Sequence, residues 1–174
     1  LNASGKSSVN SSASHLRNKG IKLIKPEMPD AITIPGAVAA WCLIHKEHGF
    51  MPWKELFNPA INYAQQGIII HERVALDWSK NVKKLSLDSD TSNIFLKNGR
   101  PFLFMDNFKN YKLSETFQTI AKEGYDGFYR GWVANDMVIK LKSIGGTHTL
   151  DDFSNANAEW VRPIFSNYRG FRVH

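Results

Sequence analysis

The chain has 174 residues, enough for one domain with a sizeable core, and its 43% hydrophobic and 22% charged residues are an ordinary globular balance. The net charge of +6 comes from Lys and Arg scattered among acids, a solvated basic surface rather than the basic block of a nucleic-acid binder. No apolar run is long enough for a membrane span, and the single cysteine, Cys42, rules out an internal disulfide.

Residues 1–30 read as loop-like: Asn2 to Ser14 is rich in Ser and poor in hydrophobic residues, and Pro26 and Pro29 punctuate the stretch up to Asp30. Ile32-Thr33-Ile34 reads as a short β-branched strand. Pro35-Gly36 then opens a helix through about Glu47, with Val38, Trp41, Cys42 and Leu43 on a broad apolar face that is expected to be buried. Asn58-Pro59 starts a further helix and Gly67 stops it. Glu72 to Lys84 comes next as a helix with Val74, Leu76, Trp78 and Val82 available for packing. Asp88 to Asn93 is polar and loop-like, and Asn98-Gly99 is a turn signal for a small hairpin between Phe95-Leu96 and Phe102-Leu103-Phe104.

Leu113 to Glu123 reads as a helix ended by Gly124. Trp132 to Ile144 carries the cleanest period, with Ala134, Met137, Val138, Leu141 and Ile144 in one apolar stripe and Gly145 at its end. Thr149 with Asp152 has the form of a capping box for a short helix. Ala158 to Ile164 and Phe171 to Val173 read as strands about a turn at Asn167 to Gly170. Because the chain starts at Leu1 and ends on a strand-like run, the expectation is a single partial domain over 1–174, an internal piece of a longer protein.

Few side chains combine into chemistry. Cys42, His45 and His48 share one helical arc, but the spacing is not that of a zinc helix and no fourth ligand presents itself. Thr147-His148-Thr149 puts hydroxyls beside an imidazole, yet a turn with an N-cap accounts for it, since neighbours in sequence rarely reach the geometry of a nucleophile and its base. Asp151-Asp152 suits the first turn of a helix, where acids complement the dipole. The aromatics Tyr125, Phe128, Tyr129 and Trp132 are explained by packing rather than base stacking. No catalytic residue, metal ligand or cofactor site is assigned within the chain.

Three segments taken together carry a family resemblance. They are Ile32-Thr33-Ile34-Pro35-Gly36-Ala37-Val38-Ala39-Ala40-Trp41 with Gly49, Pro52-Trp53 and Pro59-Ala60-Ile61 after it; Ile120-Ala121-Lys122-Glu123-Gly124 with Phe128-Tyr129-Arg130-Gly131; and Gly145-Gly146-Thr147-His148-Thr149-Leu150-Asp151-Asp152-Phe153 running on to Tyr168-Arg169-Gly170-Phe171. In this order and spacing they resemble the large-subunit helical region of gamma-glutamyltranspeptidases, the glutathione hydrolases. The resemblance implies an α+β fold: the mainly helical segment, with a few peripheral strands, of the αββα sandwich of amino-terminal-nucleophile hydrolases.

It also implies an autoprocessing precursor that acts on glutathione or related γ-glutamyl amides. The partner of this segment is then the small-subunit portion of the same precursor, which supplies the nucleophilic Thr. No cofactor is implied, and the segment alone is expected to be inactive. Glutathione-cleaving members carry near this chain's start an Arg that grips the substrate α-carboxylate, shortly before an Ala-Pro pair. A gapless reading puts Ser4 at that Arg, with Lys6 the nearest cation and Ser7-Ser8 next in the chain. Ser4 and Lys6 are therefore the candidate substrate-binding residues. A side chain that cannot make the bidentate contact fits a divergent branch of the same superfamily, such as an acylase; a non-enzymatic helical binding module is the alternative from a different class.

Overall fold

A computed structural model describes residues 1–174. Nine α-helices, one 3-10 turn and four short strands run in the order α1 (Ala13–Asn18), the turn (Pro29–Ala31), α2 (Ala37–His48), α3 (Trp53–Leu56), α4 (Asn58–Gln66), β1 (Ile68–Ile69), α5 (Glu72–Leu85), α6 (Ser89–Phe95), β2 (Asn107–Phe108), α7 (Tyr111–Tyr129), α8 (Trp132–Ser143), α9 (Leu150–Ser154), β3 (Ser166–Tyr168) and β4 (Phe171–Val173). This is the mainly helical α+β composition expected. The chain divides into two compact units, one of Leu1–Pro52 with Lys122–His174 and one of Trp53–Ala121.

In the first unit, α8 places Val133, Ala134, Val138 and Leu141 in the core, beside Ile34, Val38, Ala39, Tyr129 and Phe153. A Schellman motif ends α8: Gly146 N donates to Leu141 O at 2.8 Å, Gly145 N donates to Lys142 O at 3.0 Å, and Gly145 takes φ +87. Turned back this way, the chain enters α9 through a capping box in which the Thr149 hydroxyl accepts from Asp152 N and the Asp152 carboxylate accepts from Thr149 N. α9 packs on α8 and buries Phe153. Tyr129 lies beyond a backbone break at Gly124 (φ 60, ψ −133), a region open to glycine almost alone, where the helix of residues 111–123 ends and a short second one begins.

β3 and β4 pair antiparallel, Tyr168 opposite Phe171, through the two-residue turn Arg169-Gly170. Both turn residues have positive φ, +48 and +83, as a type I′ turn requires.

In the second unit, Gly67 stops α4 at φ +93, and a Cβ there would overlap the Asn107 side chain, whose Nδ2 donates to Gln66 O. β1 and β2 then pair antiparallel, Ile68 opposite Phe108. Trp78 of α5 meets Phe102 and Phe108 at ring-centroid distances of 5.2 and 5.0 Å, with Phe95 at 6.2 Å. Trp53 stands edge-on to Phe57 and donates from Nε1 to Ile120 O at 2.9 Å.

Several local readings differ from the structure. Residues 1–30 contain α1, capped by the Ser12 hydroxyl, which accepts from His15 N at 3.1 Å. Residues 32–34 form no ladder; Ile34 N donates to Lys6 O at 2.9 Å. Asp88 is not in a loop but caps α6, accepting from Thr91 N at 2.9 Å; a polar stretch is also what a capped short helix looks like. The turn at Asn98-Gly99 forms, with φ of +54 and +76, yet it closes one bridge, Lys97 to Arg100, because α6 already holds Phe95. Ala158 to Ile164 contributes a single bridge, Glu159 to Asn2, and the strand before the final turn begins later, at Ser166. In α2 the buried residues are Val38 and Ala39, while Trp41 is exposed.

Candidate functional site

Within the first unit a cavity of about 710 Å³ lies between the N-terminal segment and α9. Ser4 through Val9 form one wall; Asp151, Asp152, Asn155, Ala156 and Asn157 form the other; Ile34 and Gly36 close it. Both sequence-derived candidates, Ser4 and Lys6, line it and both are exposed. Lys6 makes no ion pair, so its ammonium is available to an anion. Between them sits Gly5, where a Cβ would overlap Ile34 O. A Cβ at Gly36 would likewise overlap Ala3 O. Backbone thus lies directly on backbone where the wall meets the entry to α2.

The far end of the wall is held by side-chain hydrogen bonds to the loop between α8 and α9. Ser8, 2% exposed, donates from Oγ to Thr147 O at 2.9 Å and accepts from Thr147 Oγ1 at 3.1 Å. Asp152 Oδ1 accepts from Val9 N at 3.0 Å, and Oδ2 accepts from Thr149 N at 2.8 Å. Burial by itself would push the Asp152 carboxyl up. Hydrogen bonds from Val9 N, from Thr149 N and from the Thr149 hydroxyl outweigh that and hold it below its ordinary value. Asp152 is therefore an ionised tie between the two walls. Its neighbour Asp151 is exposed on the first turn of α9. Sequence reasoning placed these acids on a helix end but not at a cavity; the Val9 amide that Asp152 ties lies 143 positions away, and no short window holds that signal.

The other candidate constellations resolve into structural roles. His148 is 1% exposed, its Nε2 donates to Ile32 O at 2.8 Å, and Nδ1 is buried without a partner. Thr149 is the cap of α9. His45 places Nε2 2.8 Å from Met51 O, and His48 stands edge-on to Trp160 at 5.7 Å, so the two turn to different neighbours. Burial raises the Cys42 thiol, partly offset by a hydrogen bond with the Tyr125 backbone. Tyr125 donates its hydroxyl to Ser154 O at 3.1 Å and to Ala156 O, anchoring the chain beyond α9. No helix is long and apolar enough to cross a membrane.

The gamma-glutamyltranspeptidase family model matches residues 1–174. A glutathione hydrolase-like YwrD proenzyme of Bacillus subtilis is 31% identical over 173 residues, which cover 99% of this chain and 33% of that protein. Among solved structures, the gamma-glutamyltranspeptidase of Helicobacter pylori superposes with a TM-score of 0.89 at 26% identity, covering 98% of this chain and 50% of that one. The cephalosporin acylase of Bacillus halodurans superposes with a TM-score of 0.91 at 27% identity, covering 99% of this chain and 33% of that one. The chain thus spans about a third of the Bacillus subtilis relative and has the helical part of an amino-terminal-nucleophile hydrolase fold. Matched by the family model from end to end, it belongs to the gamma-glutamyltranspeptidase family.

Proposed function

We propose that this chain is the large-subunit segment of an autoprocessing γ-glutamyl hydrolase or transferase, and that the cavity beside Ser4 and Lys6 is part of its acyl-donor site. The observation that carries the reading is the unpaired Lys6 ammonium, next to Ser4, on the wall of the cavity. An α-carboxylate seated there meets one positive charge. The contact is that of a point charge on a flexible stem, without the planar fork of an Arg.

The small-subunit portion of the precursor would bring the nucleophilic Thr. Its hydroxyl attacks the amide carbon, and its own α-amine takes the proton. The hydroxyls beside His148 are otherwise engaged: Thr147 Oγ1 donates to Ser8, and Thr149 Oγ1 lies 2.9 Å from Asp152 Oδ2. The 174 residues alone are accordingly expected to release no amine from a chromogenic γ-glutamyl amide.

A second reading, an acylase of the same superfamily, is favoured by Ser4 and by the likeness to the cephalosporin acylase. Two variants of the full-length, processed protein separate the readings, each assayed with glutathione and with an acyl amide lacking the α-carboxylate. If Lys6 holds the carboxylate, Lys6→Ala raises KM for glutathione and spares the other substrate. If the site is an acylase site, the unmodified protein prefers the acyl amide, and Ser4→Arg shifts the preference toward glutathione. Efficient glutathione cleavage that neither change affects would remove both readings of the cavity.

A further inference from the structure

Tyr129 is fully buried, and its hydroxyl makes two bonds that no helix-packing role requires. It donates to Pro35 O at 2.6 Å and accepts from Ala39 N at 3.1 Å. Ala39 is the third residue of α2, one of the positions whose N–H has no partner inside the helix. Ordinarily a Ser, Thr, Asp or Asn at the N-cap accepts from it. Here the N-cap is Gly36, which makes no side-chain cap. No larger residue fits, because a Cβ at that position would overlap Ala3 O. A phenol 90 positions along the chain takes over the cap.

The same turn is the bed of the cavity wall. Ala3 lies on Gly36 and Gly5 on Ile34, and Ile34 N donates to Lys6 O at 2.9 Å. Residues 34–36 therefore hold the backbone of residues 3–6 by close contact and by one hydrogen bond. Tyr129 in turn holds residues 35 and 39. Nothing in this path is a flexible side chain until Ser4 and Lys6 themselves.

We infer that Tyr129 is a positioning residue for the acyl-donor site: its hydroxyl caps α2 from a distance and thereby fixes the turn that sets Ser4 and Lys6 at the cavity wall. This role rests on the cavity being that site. The hydroxyl touches no substrate, so its effect passes wholly through the placement of the wall.

The test is Tyr129→Phe in the full-length, processed protein, which keeps the ring and removes both hydrogen bonds. With the better of the two donors, donor KM should rise about tenfold, the scale of one or two hydrogen bonds, while kcat and the acceptor KM change less than about twofold. With glutathione, in the Lys6→Ala background the same change should add little, because the cation it positions is gone. A fall in kcat and in every kcat/KM by one common factor would mean that Tyr129 only keeps the protein folded, and the inference fails. An unchanged donor KM also overturns it. The two ideas fail separately: efficient glutathione cleavage that neither Lys6→Ala nor Ser4→Arg affects removes the cavity reading, whereas an effect of Lys6→Ala with none of Tyr129→Phe removes only the positioning role. The unmodified protein offers a check that survives if Tyr129→Phe does not fold. Its Ala39 and Ile34 amides should exchange hydrogen as slowly as the core amides of α8. Exchange at Ala39 about a hundredfold or more faster would show that the hydroxyl does not hold the turn, and would overturn the inference.

Discussion

Asp152 shows how one side chain serves two levels of structure. Its two oxygens accept from Thr149, closing the cap of α9, and from Val9, tying in the cavity wall. All these bonds favour the ionised form, so the carboxyl is held below its ordinary value against the opposing effect of burial. A carboxyl lowered in the folded state contributes stability that is present above its unfolded value and is lost as pH falls through the folded one. Urea unfolding midpoints should therefore drop on the acid side of the ordinary carboxylate range, and Asp152→Asn should flatten that acid limb. An unaltered limb in the variant would mean that other carboxylates govern it. Tyr129 has the opposite direction: burial, partly offset by the Ala39 backbone bond, pushes the phenol up to about 12. Its neutral form stabilises the fold below the ordinary tyrosine value, and that contribution is lost as pH rises toward 12.

At the scale of an element, α8 is the clearest case of pattern becoming packing. The period places Ala134, Val138 and Leu141 on the buried face, and all three are buried. Met137 is only partly buried and Ile144 is exposed, for a reason the period does not contain: Ile144 is already the C-cap, and the Schellman motif turns the chain away there. Val133, absent from the expected stripe, is also buried. Leu141→Ala in the intact protein should cost about 2–5 kcal/mol, the range for a buried leucine. Ile144→Ala should stay within about 0.5 kcal/mol, as exposed substitutions do. Denaturant unfolding with matched m-values measures both, and equal costs would place the buried face elsewhere on the helix.

The whole molecule leaves much apolar surface in water. Phe50 is fully exposed, Ile164 is 91% exposed and Phe171 75%. In the β3–β4 hairpin the paired Tyr168 and Phe171 share one face with Val173, and every hairpin residue is exposed. A two-stranded hairpin with an uncovered apolar face is marginal in water, and contiguous apolar surface of this kind promotes association. The 174-residue chain, expressed and purified alone, is expected to bind a hydrophobic dye and to sediment as more than one species. A monodisperse monomer with a sharp cooperative melt would count against the large-subunit reading and favour a self-standing binding module.

Sequence alone determined where most helices stop and several of them start. Gly67, Gly124, Gly145 and the Thr149–Asp152 box act within a turn or two, through backbone angles and i to i+3 bonds that a short window contains. The family resemblance also pointed to Ser4 and Lys6 as candidates, by their place in line with the family's Arg. Only the tertiary structure decided that residues 4–9 face residues 151–157 across a cavity, and that Asp152 belongs to its wall. It alone decided that the cap of α2 comes from Tyr129. Those contacts join groups 90 to 143 positions apart. A hydroxyl or carboxylate that far away leaves no periodicity beside its partner; it becomes a partner only when burial of the apolar faces has brought the two segments together.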